Sequence, residues 1–195
     1  VIVTTSAENW SMEELSSVAI DDEKAGETIV DYLIEHGHTK IAEIGANLEL
    51  SQTAILRHNG SPNSFKKHGI TPDERYYERA RFSYDSAYRA MKKLLEKNIE
   101  ITAVYAISDV MAIGAIRAIL DKGLRVPEDI SITGFDGSTL AEYYNPKIVS
   151  IRQPHKDMAA RSVELLFSMI DLHKGSCHEI IPFELTEGES VARID

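Results

Sequence analysis

Four side chains stand where a binding chemistry can be assembled: Arg57, Phe82, Ser108 and Asp136. Each lies beyond a run that reads as a β-strand. Arg57 comes after Lys40–Ala46, Phe82 after Tyr76–Ala80, Ser108 and Asp109 after Thr102–Ile107, and Asp136 after Ile130–Phe135. Ligands of an open parallel sheet bind beyond the carboxyl ends of its strands. One cation, one aromatic and two carboxylates are therefore expected on a single rim. A guanidinium fork and a carboxylate hold adjacent hydroxyls through charge-assisted hydrogen bonds of about 1.5–3 kcal/mol each. An aromatic face covers the apolar side of a sugar ring. The set suits a polyol. Each residue also has a plainer reading: Ser108 or Asp109 as a helix N-cap, Asp136 before Gly137 as a turn residue, Arg57 as a solvated cation and Phe82 as core. Convergence decides between the two, and it fails if Arg57 and Asp136 lie on opposite flanks.

Catalysis and metal binding find little support. The rim residues include no nucleophile–base pair, and no G-x-S-x-G, Walker A, G-x-G-x-x-G after a strand, or H-E-x-x-H occurs. The seven histidines show no ligand spacing. His36 and His38 flank a glycine turn and are expected at the surface. Cys177 beside His178 is not a dyad, because neighbours in an extended segment point to opposite faces. A single cysteine also excludes an internal disulfide and a Cys-based zinc site. No cofactor is expected.

These residues must be positioned by alternating strands and helices. Val1–Thr5 and Ser17–Ile20 read as short strands. A helix capped by Asp21 or Asp22 runs to about His36, where Gly37 stops it. After strand Lys40–Ala46 and a polar loop, Asn47–Ser51, the glycine and proline at 60 and 62 predict a helix that starts only at Ser61–Pro62 and ends near His68. Tyr84–Lys97 and Val110–Lys122 are amphipathic helices, the second ending at Gly123. Ile148–Arg152 is extended. His155–His173 is a long helix carrying Met158, Val163, Leu166 and Ile170. Ile180–Leu185 is expected as one last strand, with Val191 in a hairpin partner. Strands separated by helices predict an α/β fold: a parallel sheet with helices on both faces.

The composition agrees. The 195 residues are 43% hydrophobic and 27% charged, which suits a folded domain. No apolar run approaches the ~20 residues of a membrane-spanning helix. A net charge of −10 repels a phosphate backbone and makes this chain alone a poor nucleic-acid ligand. No secretory leader is visible, and the chain opens on a strand-like run without Met, as a piece of a longer protein would.

Several segments together resemble the LacI-type bacterial transcription regulators. His36-Gly37-His38-Thr39-Lys40-Ile41 is similar to that family's LGHxxI signature, and Ser108-Asp109-Val110-Met111-Ala112-Ile113-Gly114-Ala115 to its NDxMAxGA motif. The stretch from Gly123 to Ile132, then Gly134-Phe135-Asp136, resembles GLRVPEDISIxGFD, and Ile151-Arg152-Gln153-Pro154 resembles TIxQP. The resemblance implies a periplasmic-binding-protein-like type I core: residues 22–151 with 183–192 as a complete carboxyl-side lobe, and residues 1–21 with 152–182 as part of an amino-side lobe. A DNA-binding headpiece would lie outside this chain. It further implies a sugar-like effector held by Arg57, Phe82, Ser108 and Asp136, with Asp109 as the neighbouring cap. Ile113 and Tyr144 would sit in a homodimer interface. Operator DNA would be bound through the headpiece, in the cytoplasm and without enzymatic turnover. A secreted sugar-binding protein of a transport system is the alternative on the same fold. The chain departs from the pattern in three places. Ser61-Pro62 follows Gly60 where an aromatic is usual, Ser108 replaces asparagine, and Glu187-Gly188-Glu189-Ser190 stands for ERxS. Glu164 and Ser168 occupy the face on which catabolite-control relatives dock a phosphoprotein corepressor through basic residues, so that partner is not expected.

Overall fold

The computed structural model describes residues 2–3, 16–46, 51–172 and 176–194. Two sheets organise them. The larger has six strands in the order β4-β3-β5-β6-β7-β9: β3 Ile41–Gly45, β4 Tyr77–Arg79, β5 Ala103–Ala106, β6 Ser131–Asp136, β7 Val149–Arg152 and β9 Glu184–Thr186. Five run parallel, and β9 pairs antiparallel with β7, which qualifies the all-parallel expectation. The smaller sheet pairs β1 Ile2–Val3, β2 Ser17–Ala19 and β8 His178–Ile180, all parallel.

Helices α1 Asp22–Glu35 and α2 Gln52–Lys67 pack together, as do α3 Tyr84–Glu96 and α4 Asp109–Asp121. The chain turns one way from β3 to β4 and the other way from β4 through β5 to β6. Right-handed crossovers therefore put α2 on one face of the sheet and α3 and α4 on the other. Short α5 Thr139–Tyr143 precedes β7, and α6 His155–Leu172 packs against the small sheet. Asp21, not Asp22, caps α1, its side chain accepting from the Lys24 amide. Gly37, at φ 94°, turns the chain after it, as expected.

Three expectations fail for physical reasons. Helix α2 begins at Gln52, capped by Ser51, and runs through Gly60 and Pro62 rather than starting there. The glycine is a packing residue: a Cβ on Gly60 would overlap the Glu27 amide, and one on Gly26 the Arg57 carbonyl. The two helices cross at backbone distance, and that contact outweighs the roughly 3 kcal/mol that a proline costs inside a helix. Second, Ile180–Leu185 is not one strand. Its start lies in β8 and its end in β9, and the chain changes sheets between them around Pro182. Val191 lies in no strand; its neighbour Ser190 receives the Val149 amide and donates to the Ile132 carbonyl. Third, His38 is buried, its ring bonded to Thr102 Oγ1 at 3.1 Å and to the Ala192 carbonyl at 3.0 Å. It ties the C-terminal segment to the start of β3, and burial holds its pKa below the usual value. His36 is half-buried, its ring on the Tyr32 carbonyl. Residues Val1, Thr4, Thr5, Asn47 to Leu50 and His173 lie outside the described residues.

Helix α6 is apolar on two sides. Met158 and Leu165 are buried inward, whereas Val163, Leu166, Phe167 and Ile170 form an exposed stripe at helical spacing.

Candidate functional site

The rim is built from three strand ends and one helix. Ser51 starts α2, and a turn and a half later Arg57 points inward, 3% exposed. Its Nε donates to Asp22 Oδ1 at 2.8 Å, and its Nη1 donates to the Ile107 carbonyl at 2.8 Å and to Asp136 Oδ1 at 3.3 Å. The guanidinium lies 3.6 Å over the Phe135 ring, a cation–π contact in a desolvated setting. Arg57 thus links the start of α1 to the carboxyl ends of β5 and β6.

Asp136 ends β6 at φ 117°, where L-residues are rarely found. Its Oδ1 also accepts from Gln153 Nε2 at 2.7 Å. Burial pushes its pKa up to about 6, with Arg57 opposing and the Asp109 charge reinforcing the rise. The side chain keeps 31% of its surface exposed. A ligand at this rim meets one carboxylate already aimed by two donors.

Asp109 has a different task. It is the first residue of α4, and Ser108 is the cap, its hydroxyl accepting from the Met111 amide. The reading of Asp109 as a cap is corrected accordingly. Its two oxygens accept from Ser150 Oγ and from the Ser138 amide, each at 2.6 Å, while Ser150 Oγ also receives the Gly137 amide. Burial raises its pKa, and these hydrogen bonds counter the rise. A Cβ on Gly134 would strike its carboxylate, so the glycine of the Gly134-Phe135-Asp136 segment leaves room for that knot.

Of the four residues expected to converge, Arg57 and Asp136 touch. Ser108 follows Ile107, whose carbonyl Arg57 holds. Phe82 stands apart, 47% exposed beyond β4, with β3 and β5 between that strand and β6. At the usual strand spacing this is roughly 14 Å across the sheet. Asp22, Phe135 and Gln153 were missed as parts of the cluster. The pair Asp21-Asp22 held a usable signal, since only one of them can cap the helix and the other is free to turn inward. Cys177 and His178 have separate partners, Glu179 and Ser17. No group of three potential metal ligands occurs among the described residues.

Comparison with known proteins now identifies the chain. A family model described as a periplasmic binding protein-like domain matches residues 30–191. The chain belongs to that family. Within it, the relatives are HTH-type transcription regulators. MalR of Clostridium butyricum is 41% identical over 92% of this chain and 53% of its own length. PurR of Vibrio atlanticus (strain LGP32) is 33% identical over 91% of this chain and 52% of its own. A solved CelR–cellobiose complex superposes with a TM-score of 0.86 at 32% identity, covering 91% of this chain and 54% of that one. The Escherichia coli repressor AscG gives 0.82 at 30%, over 90% and 64%. The chain is a LacI-type, periplasmic-binding-protein-like core, and it spans about half the length of the curated relatives it matches.

Proposed function

We propose that this chain is the effector-binding and dimerisation core of a DNA-binding transcription regulator, sensing a sugar-like molecule and coupling lobe closure to operator affinity. The observation that carries the reading is the Arg57–Asp136 contact at the carboxyl-end rim, in a chain whose relatives are regulators. The guanidinium donates to one ligand hydroxyl and Asp136 accepts from its neighbour. Ser108 stands beside this pair at the end of β5 with its hydroxyl capping α4, and Phe82, three strand spacings away, reaches only a ligand that extends along the rim toward β4. A relative solved as a cellobiose complex supports the ligand class.

Residues 22–151 with 183–192 make the carboxyl-side lobe; residues 1–21 with 152–182 belong to an amino-side lobe. Two features support the division. The chain passes between the two sheets three times, around residues 20–22, 153–154 and 181–183. The exposed α6 stripe, Val163, Leu166, Phe167 and Ile170, is a face that the rest of such a lobe would cover. The three passages serve as hinges. Coupling between effector and DNA is a reciprocal free energy of about 1–3 kcal/mol. The DNA-binding headpiece and the rest of the amino-side lobe belong to the length that the relatives have and this chain does not span. Ile113 and Tyr144, half-buried near exposed Leu120, Leu140 and Tyr143, belong to the homodimer interface. The protein works in the cytoplasm and turns over no sugar.

A thermal-shift panel including cellobiose and maltose tests the ligand. A binding sugar raises the melting temperature by mass action, and Asp136→Ala removes that rise while leaving the unliganded fold intact. A rise that survives the substitution overturns the site, and a panel without any rise overturns the ligand class. Tyr144→Asp shifts the sedimenting species toward monomer; an unaltered dimer removes Tyr144 from the interface.

A further inference from the structure

A second cleft, of about 640 Å³, shares no lining residue with the Arg57–Asp136 cluster. It is lined by the second half of α2, the start and middle of β3, edge strand β4 and the segment 70–76 that leads into β4. Its size falls in the range of small-molecule sites, roughly 300–1,000 Å³. Phe65, Ile70, Pro72, Tyr76 and Tyr77 give it apolar and aromatic walls. Its buried carboxylate is Glu43, in the middle of β3 and 7% exposed. A carboxylate buried in a sheet costs several kcal/mol unless it is paired. Glu43 accepts from Ser61 Oγ at 2.8 Å on one oxygen and bonds His58 Nδ1 at 2.8 Å on the other. Each carboxylate oxygen can accept a further hydrogen bond. Ser61 and Pro62, one of the three places at which this chain departs from the pattern it resembles, line the same cleft.

We propose that this cleft binds a small primary amine with an apolar body, its ammonium on Glu43 and its hydrocarbon portion against the Phe65 and Tyr77 side. The charge of the ligand follows from the lining. Asp73 is neutralised by Arg75, which donates to both of its oxygens, so Glu43 and Glu74 face one permanent cation on the lining, Arg79, and His58, which titrates. Tyrosine faces add cation–π attraction. His58 bears on the binding directly. Its ring lies 4.9 Å from that of Tyr77, and the Glu43 hydrogen bond raises its pKa. An ammonium reaching Glu43 competes with the imidazolium, so amine uptake drives the proton off His58.

Three ligands with one body and different charge test this: phenethylamine, 2-phenylethanol and phenylacetate, titrated by NMR into the labelled 195-residue chain near pH 6.5. Phenethylamine binds at least about tenfold more tightly than phenylacetate. It shifts the Ser61 and Tyr77 amides but not those of Ser108 and Gly137, and it moves the His58 Hε1 resonance toward its neutral-form position. Glu43→Gln abolishes the preference for the amine. Because that position is buried, exposed Glu74→Lys provides a second readout, weakening phenethylamine and leaving 2-phenylethanol unchanged. Equal binding of phenylacetate, shifts confined to other amides, or a His58 resonance that stays put would each overturn the proposal.

Discussion

Asp109 and Asp136 stand at the carboxyl ends of neighbouring strands, and burial raises the pKa of both, yet they are spent differently. Asp109 is 1% exposed and gives its two oxygens to Ser150 and Ser138, locking the turn after β6 to β7. Asp136 sits on that locked turn with an unusual φ, touches a guanidinium and an amide, and remains partly open to solvent. The contrast teaches that the buried carboxylate builds the platform and the half-open one presents it. Strain at Asp136 persists because the knot beneath it holds the backbone there.

The division of labour can be broken at its base. Asp109→Ala orphans the Ser138 amide and the Ser150 hydroxyl and lowers unfolding free energy by about 2–4 kcal/mol in denaturant titration, whatever ligand is present. A loss no larger than that of Asp136→Ala would erase the distinction. Ser150→Ala keeps the carboxylate but removes one donor to it and the acceptor of the Gly137 amide, at about 1–2 kcal/mol. The smallest effect sharpens the other half. Asp136 has a folded-state pKa near about 6, above its unfolded value, so it favours the folded state while protonated and loses that contribution as pH rises toward and through 6. Asp136→Asn therefore stabilises the chain above pH 6. The rise to about 6 is worth at most about 3 kcal/mol, solvent at the partly open side chain cuts this to about 1 kcal/mol, and the difference closes as the pH falls toward 4. Melting curves from pH 4 to 8 give the sign directly.

Much of this was legible in the residues. Periodicity gave α3 and α4 to within a residue or two, since their apolar faces repeat cleanly. The rule that ligands gather at the carboxyl ends of strands singled out Arg57 and Asp136, which the structure brings into contact. What escaped depends on neighbours distant in sequence. Gly60 and Pro62 read as breakers because nothing local reveals that α1 presses its backbone against α2. His38 reads as a surface residue because its acceptor is the Ala192 carbonyl, at the far end of the chain. Ile180–Leu185 is rich in strand formers, and Pro182, which has no amide to give a ladder, is the one local sign that it divides between two sheets.

The register of the small sheet also dictates an order of assembly. Ser17 and His178 are 161 positions apart, and closing so long a flexible loop costs about 4–5 kcal/mol beyond a constant. Three strands of two or three residues cannot offset that from a disordered chain. Pairing of β7 with β9 sets Arg152 opposite Glu184, which anchors both ends of the intervening segment and cuts the search to a short excursion. Among the described strands the large sheet therefore pairs first, and β8 joins β2 only once β9 has anchored the segment beyond it.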